Sequence, residues 1–232
     1  DLFGSVNGVP LKDKITAFLQ RVTQNSAQLV AQWMSAGFVH GVLNTDNMVV
    51  TGQSFDYGPY RFLPHFEPGF TAAYFDRSGL YAYGRQPDAV AWNLSRLAGC
   101  FMQLGFDSES LAPTLAGFGP CFQQTLAKQF YWRIGREQPE DQEEAEQLIA
   151  SAFAAMRNTK MPPDRFFHLA ATHEGTAQLP SEMAELKAAL SALPSRLEGL
   201  MPDQPVSLLY DEIEDIWAQI DQHDNWDKFQ SK

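Results

Sequence analysis

The chain has 232 residues, with 17 Lys+Arg against 28 Asp+Glu, a formal net charge of −11 and 44% hydrophobic residues. Such a length suits one or two domains, and such a hydrophobic fraction buries a real core, which sets aside disordered and collagen-like chains. An acidic chain without a basic stripe repels phosphate backbones and anionic bilayers, so neither nucleic acid nor a membrane surface is expected as a partner.

Cys100 and Cys121 are too few for a disulfide framework, which points to a reducing compartment, read as cytoplasmic, with both thiols expected in the core. No run approaches the roughly 20 apolar residues of a membrane span, and the first residues lack the basic-then-apolar pattern of a signal peptide. The sequence starts at Asp1 rather than Met, which leaves a longer natural product open.

In chain order, apolar residues recur at helical spacing over 15–37 (Phe18, Leu19, Val22, Leu29, Val30, Trp33, Met34), with Gly37 as the expected C-cap. Two short apolar runs follow, Met48-Val49-Val50 and Ser54-Phe55, parted by Thr51-Gly52-Gln53, and predict a tight hairpin. Residues 57–86 carry Tyr57-Gly58-Pro59, Glu67-Pro68-Gly69 and Ser78-Gly79, which predicts an irregular, aromatic-rich loop packed on the body. Pro87 reads as a first helical residue, and 89–104 as a strongly apolar helix whose Trp92 and Phe101 face the core, ended by Gly105. Helices are expected at about 121–137, 140–157, 164–172, 181–193 and 206–221, broken by Met161-Pro162-Pro163 and Met201-Pro202-Asp203. The acidic clusters at 137–146 and 211–227 read as solvated helix faces, and the expected class is mainly α.

The chemistry concentrates in His-Gly-Val-Leu-Asn-Thr-Asp-Asn-Met over 40–48 and Phe-Asp-Tyr-Gly-Pro over 55–59. Phosphotransferases of the protein-kinase type carry a catalytic Asp, a metal-holding Asn about five residues on, and a second metal-binding Asp in a D-F-G turn beyond a short hairpin. Here Asp46-Asn47 sits in the loop, a hairpin of suitable length follows, and Asp56-Tyr57-Gly58 takes the place of the turn. ATP chemistry needs oxygen ligands that hold Mg²⁺ against phosphate, and Asn47 with Asp56 supplies such a pair, Gly58 allowing the sharp turn between them and Pro59. In small-molecule kinases this loop often reads H-G-D; Val42 stands where that Asp would be, so Asp46 is the one carboxylate left in the loop. Two readings follow: a dead kinase, or chemistry rearranged around Asp46.

The blocks over 40–48 and 56–59, together with Glu67-Pro68-Gly69-Phe70 and the stretch over 86–94, resemble the selenoprotein O (SelO, YdiU) pseudokinase family, specifically from about 18 to 104 and more weakly to about 167. That resemblance implies a protein-kinase-like C-lobe over 1–160, with a short β-hairpin at the catalytic and metal loop, and a helical C-terminal extension over 161–232. It implies flipped ATP, Mg²⁺ or Mn²⁺, and transfer of AMP to Ser, Thr or Tyr hydroxyls of protein substrates. Carried over by position, Asp46 matches the proposed catalytic base, and Asn47 and Asp56 match the metal ligands. The family's phosphate-binding Lys, its partner Glu and phosphate-contacting Arg residues belong to an N-terminal lobe. Residues 1–36 offer Lys12, Lys14 and Arg21 but no strand-rich glycine-loop module, so this lobe is expected to be absent from the chain. The redox-active Cys or selenocysteine that many members carry near the C-terminus has no counterpart in Phe229-Gln230-Ser231-Lys232, so redox control by it is not expected. The competing class is a stand-alone C-lobe that has lost catalysis and serves as a binding or scaffold module. His40 is expected to brace the loop by hydrogen-bonding backbone or Asp56, and the five-residue spacing of His168 and His173 does not align two metal ligands on one helix face.

Overall fold

A computed structural model describes residues 8–232, and these are mainly helical. They divide into two compact units: residues up to Tyr60 with Pro68–Gln129, and Arg61–Glu67 with Phe130–Lys232.

In the first unit α1 (Leu11–Ala36) buries Leu19, Val22, Ala27, Val30, Ala31 and Trp33 along one stripe, and Gly37 caps it in the left-handed region with φ 69°, as its sequence predicts. The helix begins four residues earlier than the apolar periodicity, because Lys12 and Lys14 add polar turns after Pro10. β1 (Phe38–Val39) leads into the 40–47 loop, which closes in a 3₁₀ turn over Thr45–Asn47. The expected hairpin is present: β2 (Met48–Val49) pairs antiparallel with β3 (Gln53–Ser54), Met48 opposite Ser54 and Val49 opposite Gln53. β4 is Arg61–Phe62. α2 (Gln86–Gln103) has Pro87 in its first turn and packs on α1. The buried positions of α2 are Gln86, Val90, Asn93, Leu94 and Ala98, so two amides stand in an otherwise apolar stripe.

α3 (Ser108–Ala116), with Pro113 inside it, is a helix beyond those expected from the sequence. Asp107 nucleates it by accepting the Ser110 N–H at 2.7 Å, and Leu111 joins Leu19 and Ala98 in one buried cluster. Trp92 is a correction to the expected core stripe of α2: it is 54% exposed, on the face opposite Val90 and Leu94, whereas Phe101 does pack against the Leu19 cluster. Cys100 is exposed and Cys121 half-buried, so neither thiol is the core residue expected.

α4 (Phe118–Arg133) stops before Gly135 rather than at 137. The second unit is built from α5 (Gln142–Thr159), α6 (Pro163–Ala170), α7 (His173–Ala177), α8 (Ala184–Ala192), α9 (Tyr210–His223) and α10 (Asp227–Gln230). Its core includes Phe130, Ile134, Ala152, Met156, Phe166 and Leu190. Arg136, only 3% exposed, donates to the carbonyls of Ala170 (3.1 Å), Leu193 and Thr172 and to the Thr176 hydroxyl, so one buried guanidinium joins the ends of three helices. The acidic first turn of α5 is solvated, with Asp141 as its N-cap. Among the described residues no helix is long and apolar enough to cross a membrane.

Candidate active site

The loop over 40–47 is held from behind by His40. Its ring is fully buried, 5.2 Å from Trp33 and 5.5 Å from Tyr57 between ring centroids. Burial pushes the imidazole down to about 4, against the opposing pull of the Asp56 carboxylate, so the ring is neutral at physiological pH. Nδ1 accepts the Val42 N–H at 3.3 Å, which fixes the proton on Nε2, and Nε2–H then donates to the Ser54 hydroxyl at 2.7 Å. Ser54 Oγ lies 3.0 Å from the carbonyls of both Asn47 and Asp56, and the Phe55 N–H adds a third tie to the Asn47 carbonyl. One serine therefore joins the residue that opens the hairpin to the residue that follows it.

Glycine is required at two turns here. Gly41 has φ +89°, and a Cβ there would stand 3.1 Å from both Ala72 and Pro59. Gly52 turns the hairpin at φ +81° with its Cα against α1, where a Cβ would meet Asn25 at 2.5 Å; Asn25 in turn donates to the Thr51 carbonyl.

Around this frame the three predicted residues take different positions. Asp46 is exposed in the 3₁₀ turn. Asn47 is half-buried and donates its amide Nδ2–H to the Val42 carbonyl at 3.0 Å, a bond that does not use Oδ1. Asp56 is exposed, and its Oδ1 accepts the Gly58 N–H at 2.8 Å, a local turn that leaves Oδ2 uncommitted. Tyr57 packs its ring 5.8 Å from Phe38 and 6.3 Å from Trp33, anchoring the turn on the same aromatic cluster as His40. An amide oxygen and a carboxylate oxygen are hard donors that suit Mg²⁺ or Mn²⁺, and two protein ligands suffice for such an ion when phosphate oxygens and water complete the shell. Among the described residues no three His, Cys, Asp or Glu side chains gather as an all-protein metal cage.

Several residues of the site do not stand out in the sequence. Gln86, fully buried, clamps the strand that precedes the loop: Oε1 accepts the His40 N–H and Nε2 donates to the Phe38 carbonyl, both at 2.9 Å. Asn93, one further stretch along α2, donates to the Leu43 carbonyl at 2.9 Å. Tyr81 donates to Asn44 Oδ1; burial first, then the Asp76 and Asp46 charges, raise its phenol above the usual range, so it stays a donor. Asp76 shapes the turn that presents Tyr81 by accepting the N–H groups of Leu80 (2.9 Å) and Tyr81 (2.8 Å). The sequence signal for Gln86 and Asn93 is their polarity at buried positions of an apolar helix face.

A profile of the family described as protein adenylyltransferase SelO matches residues 6–200. The protein nucleotidyltransferase YdiU of Trichodesmium erythraeum is 31% identical over an alignment that covers 95% of this chain and 51% of that protein. YdiU of Synechocystis sp. is 34% identical, over 92% of this chain and 50% of that protein. YdiU of Gloeobacter violaceus reaches 53% identity over a shorter stretch, 37% of this chain and 18% of that protein. The chain thus spans about half the length of the curated relatives it matches most fully.

Proposed function

The chain belongs to the SelO family of protein adenylyltransferases, and we propose that it supplies the metal-holding and acceptor-side part of such an enzyme, built as a protein-kinase-like C-lobe over 1–160 with a helical extension over 161–232. In this reading the protein transfers AMP from ATP to Ser, Thr or Tyr hydroxyls of other proteins in the cytoplasm. Asp46 accepts or orients the proton of the acceptor hydroxyl. The hydroxyl oxygen attacks the α-phosphorus, the bond from that phosphorus to the bridging oxygen breaks, and pyrophosphate leaves. Asn47 and Asp56 would hold Mg²⁺ or Mn²⁺, and that ion would supply charge neutralisation at the phosphate oxygens.

The observation that carries the reading is the Ser54 hub. It ties the main chains of Asn47 and Asp56 together across the hairpin, with His40 locked behind it, and so holds two oxygen donors on one rigid frame. A stand-alone scaffold has no use for that frame. Product analysis on the full-length protein tests the proposal: pyrophosphate release with an AMP-bearing protein product, lost in Asp56→Ala, is the expected result. ADP as product would instead assign a kinase, and retained AMP transfer in Asp56→Ala would remove Asp56 from the site. A folded protein with no metal-nucleotide binding at all would favour the binding-module alternative.

A further inference from the structure

Beside the loop that carries Asp46 lies a cavity of about 310 Å³, bounded by Leu43 and Asn44 of the loop, by Leu80, Tyr81 and Arg85 of the 76–85 turn, and by α2 with Asp88, Ala89 and Trp92. Neither Asn47 nor Asp56 lines it. Its floor and one wall are apolar, from Leu43, Leu80, Ala89 and the exposed face of Trp92. Leu80 is 47% and Trp92 54% exposed at the rim of the proposed chemistry, with the Arg96 guanidinium 4.8 Å from the Trp92 ring centroid.

The polar groups around this apolar floor are a mixed set. Asn44 Oδ1 is taken by the Tyr81 hydroxyl, which leaves the Asn44 Nδ2 amide as a donor. Arg85 has one N–H on the Gly79 carbonyl at 3.3 Å and keeps others for a second acceptor. Asp88, exposed in the first turn of α2, is an acceptor. A donor amide, a guanidinium and a carboxylate around an apolar floor match a peptide segment: the floor takes one side chain, the donors take a peptide carbonyl, and the carboxylate takes a peptide N–H. A phosphate group fits poorly, because Asp88 and the nearby Asp46 and Asp76 repel it. The volume is at the small end of ligand cavities, enough for one amino-acid side chain with its flanking peptide groups.

We propose that this cavity seats an apolar side chain next to the acceptor hydroxyl of the protein substrate, and that Ala89 and Trp92 set the preference for it. The proposal rests on Asp46 being the acceptor-side group, since the Asn44–Tyr81 hydrogen bond joins the cavity wall to the loop two residues before Asp46. Tyr81 then acts as a positioning residue shared by the cavity and the loop.

The test uses Ala89→Trp, which fills the cavity from the surface of α2 without touching Asn47 or Asp56, together with Trp92→Ala, which enlarges it. Binding of fluorescent peptides to the full-length protein is measured without ATP, with Leu, Met, Phe, Lys or Glu at the two positions on either side of a Ser. AMP transfer to the same peptides is measured in parallel. The expected result is tighter binding of the Leu, Met and Phe peptides to the parent, a loss of that ranking by ten-fold or more in Ala89→Trp, and a shifted ranking toward bulkier side chains in Trp92→Ala. In transfer, KM for the peptide rises with kcat at saturation retained. Equal ranking in the parent and Ala89→Trp overturns the proposal, as does adenosine rather than peptide competing for the cavity. Peptide binding that keeps its apolar ranking in a protein that transfers no AMP leaves the cavity assignment standing and refutes the enzymatic reading alone.

Discussion

Acid should weaken the fold through one buried ring. His40 titrates at about 4 in the folded chain against an ordinary 6.5. A pKa depressed in the folded state means that the unfolded chain binds the proton first, so between pH 6.5 and 4 stability falls as pH falls, and it is fully present only above about 6.5. The gap of about 2.5 pH units corresponds to about 3 kcal/mol, an upper figure for a ring with no exposed surface. The structural cause is specific: a protonated Nδ1 no longer accepts the Val42 N–H, and a charged ring sits among Trp33, Phe38 and Tyr57. Urea unfolding of the parent and of His40→Gln, followed at several pH values across this window, isolates the ring, because the carboxylates remote from His40 are common to both proteins. The parent should lose up to about 3 kcal/mol more than the variant between pH 6.5 and 4. Parallel pH profiles for the two proteins would refute the assignment of the acid sensitivity to His40.

Three further substitutions probe the same frame. Gln86→Met removes a fully buried amide that satisfies both the His40 N–H and the Phe38 carbonyl, and should cost about 2–4 kcal/mol in urea unfolding, since two buried backbone groups lose their partners. Gly52→Ala puts a Cβ 2.5 Å from Asn25 at φ +81°, so it should cost about 2 kcal/mol or more and also lower the affinity for Mn²⁺·ATP as the hairpin shifts, read by calorimetry on the same samples. Ser54→Ala deletes the hydroxyl that joins Asn47 and Asp56 and strands the buried His40 Nε2–H, so it should reduce Mn²⁺·ATP affinity several-fold and cost about 1–3 kcal/mol of stability. An unchanged affinity there would separate the hub from the metal site.

Much of the fold could be read locally. The α1 stripe ending at Gly37 and the Met48 to Ser54 hairpin are encoded by period, cap and turn residues within a few positions of each other. The unexpected helix α3 is short, nine residues, and carries Pro113 inside it, so its local signal is weak despite the Asp107 N-cap. The exposure of Trp92 was not legible, because an aromatic at helical spacing says nothing about which face the rest of the chain covers. At the site, Asp46, Asn47 and Asp56 stand out by type and spacing within 11 residues. Gln86 and Asn93 do not, for their partners His40 and Leu43 lie 46 and 50 residues away, and only folding of α2 against the loop brings them together.

Asn47 and Asp56 are proposed to form one cation site for a nucleotide. Calorimetric titration of the full-length protein with ATP and Mn²⁺, run beside Asp56→Ala and with Mn²⁺ omitted, decides it. Mn²⁺-dependent nucleotide binding in the parent should be lost or weakened at least ten-fold in the folded variant; equal binding by both proteins would exclude such a site.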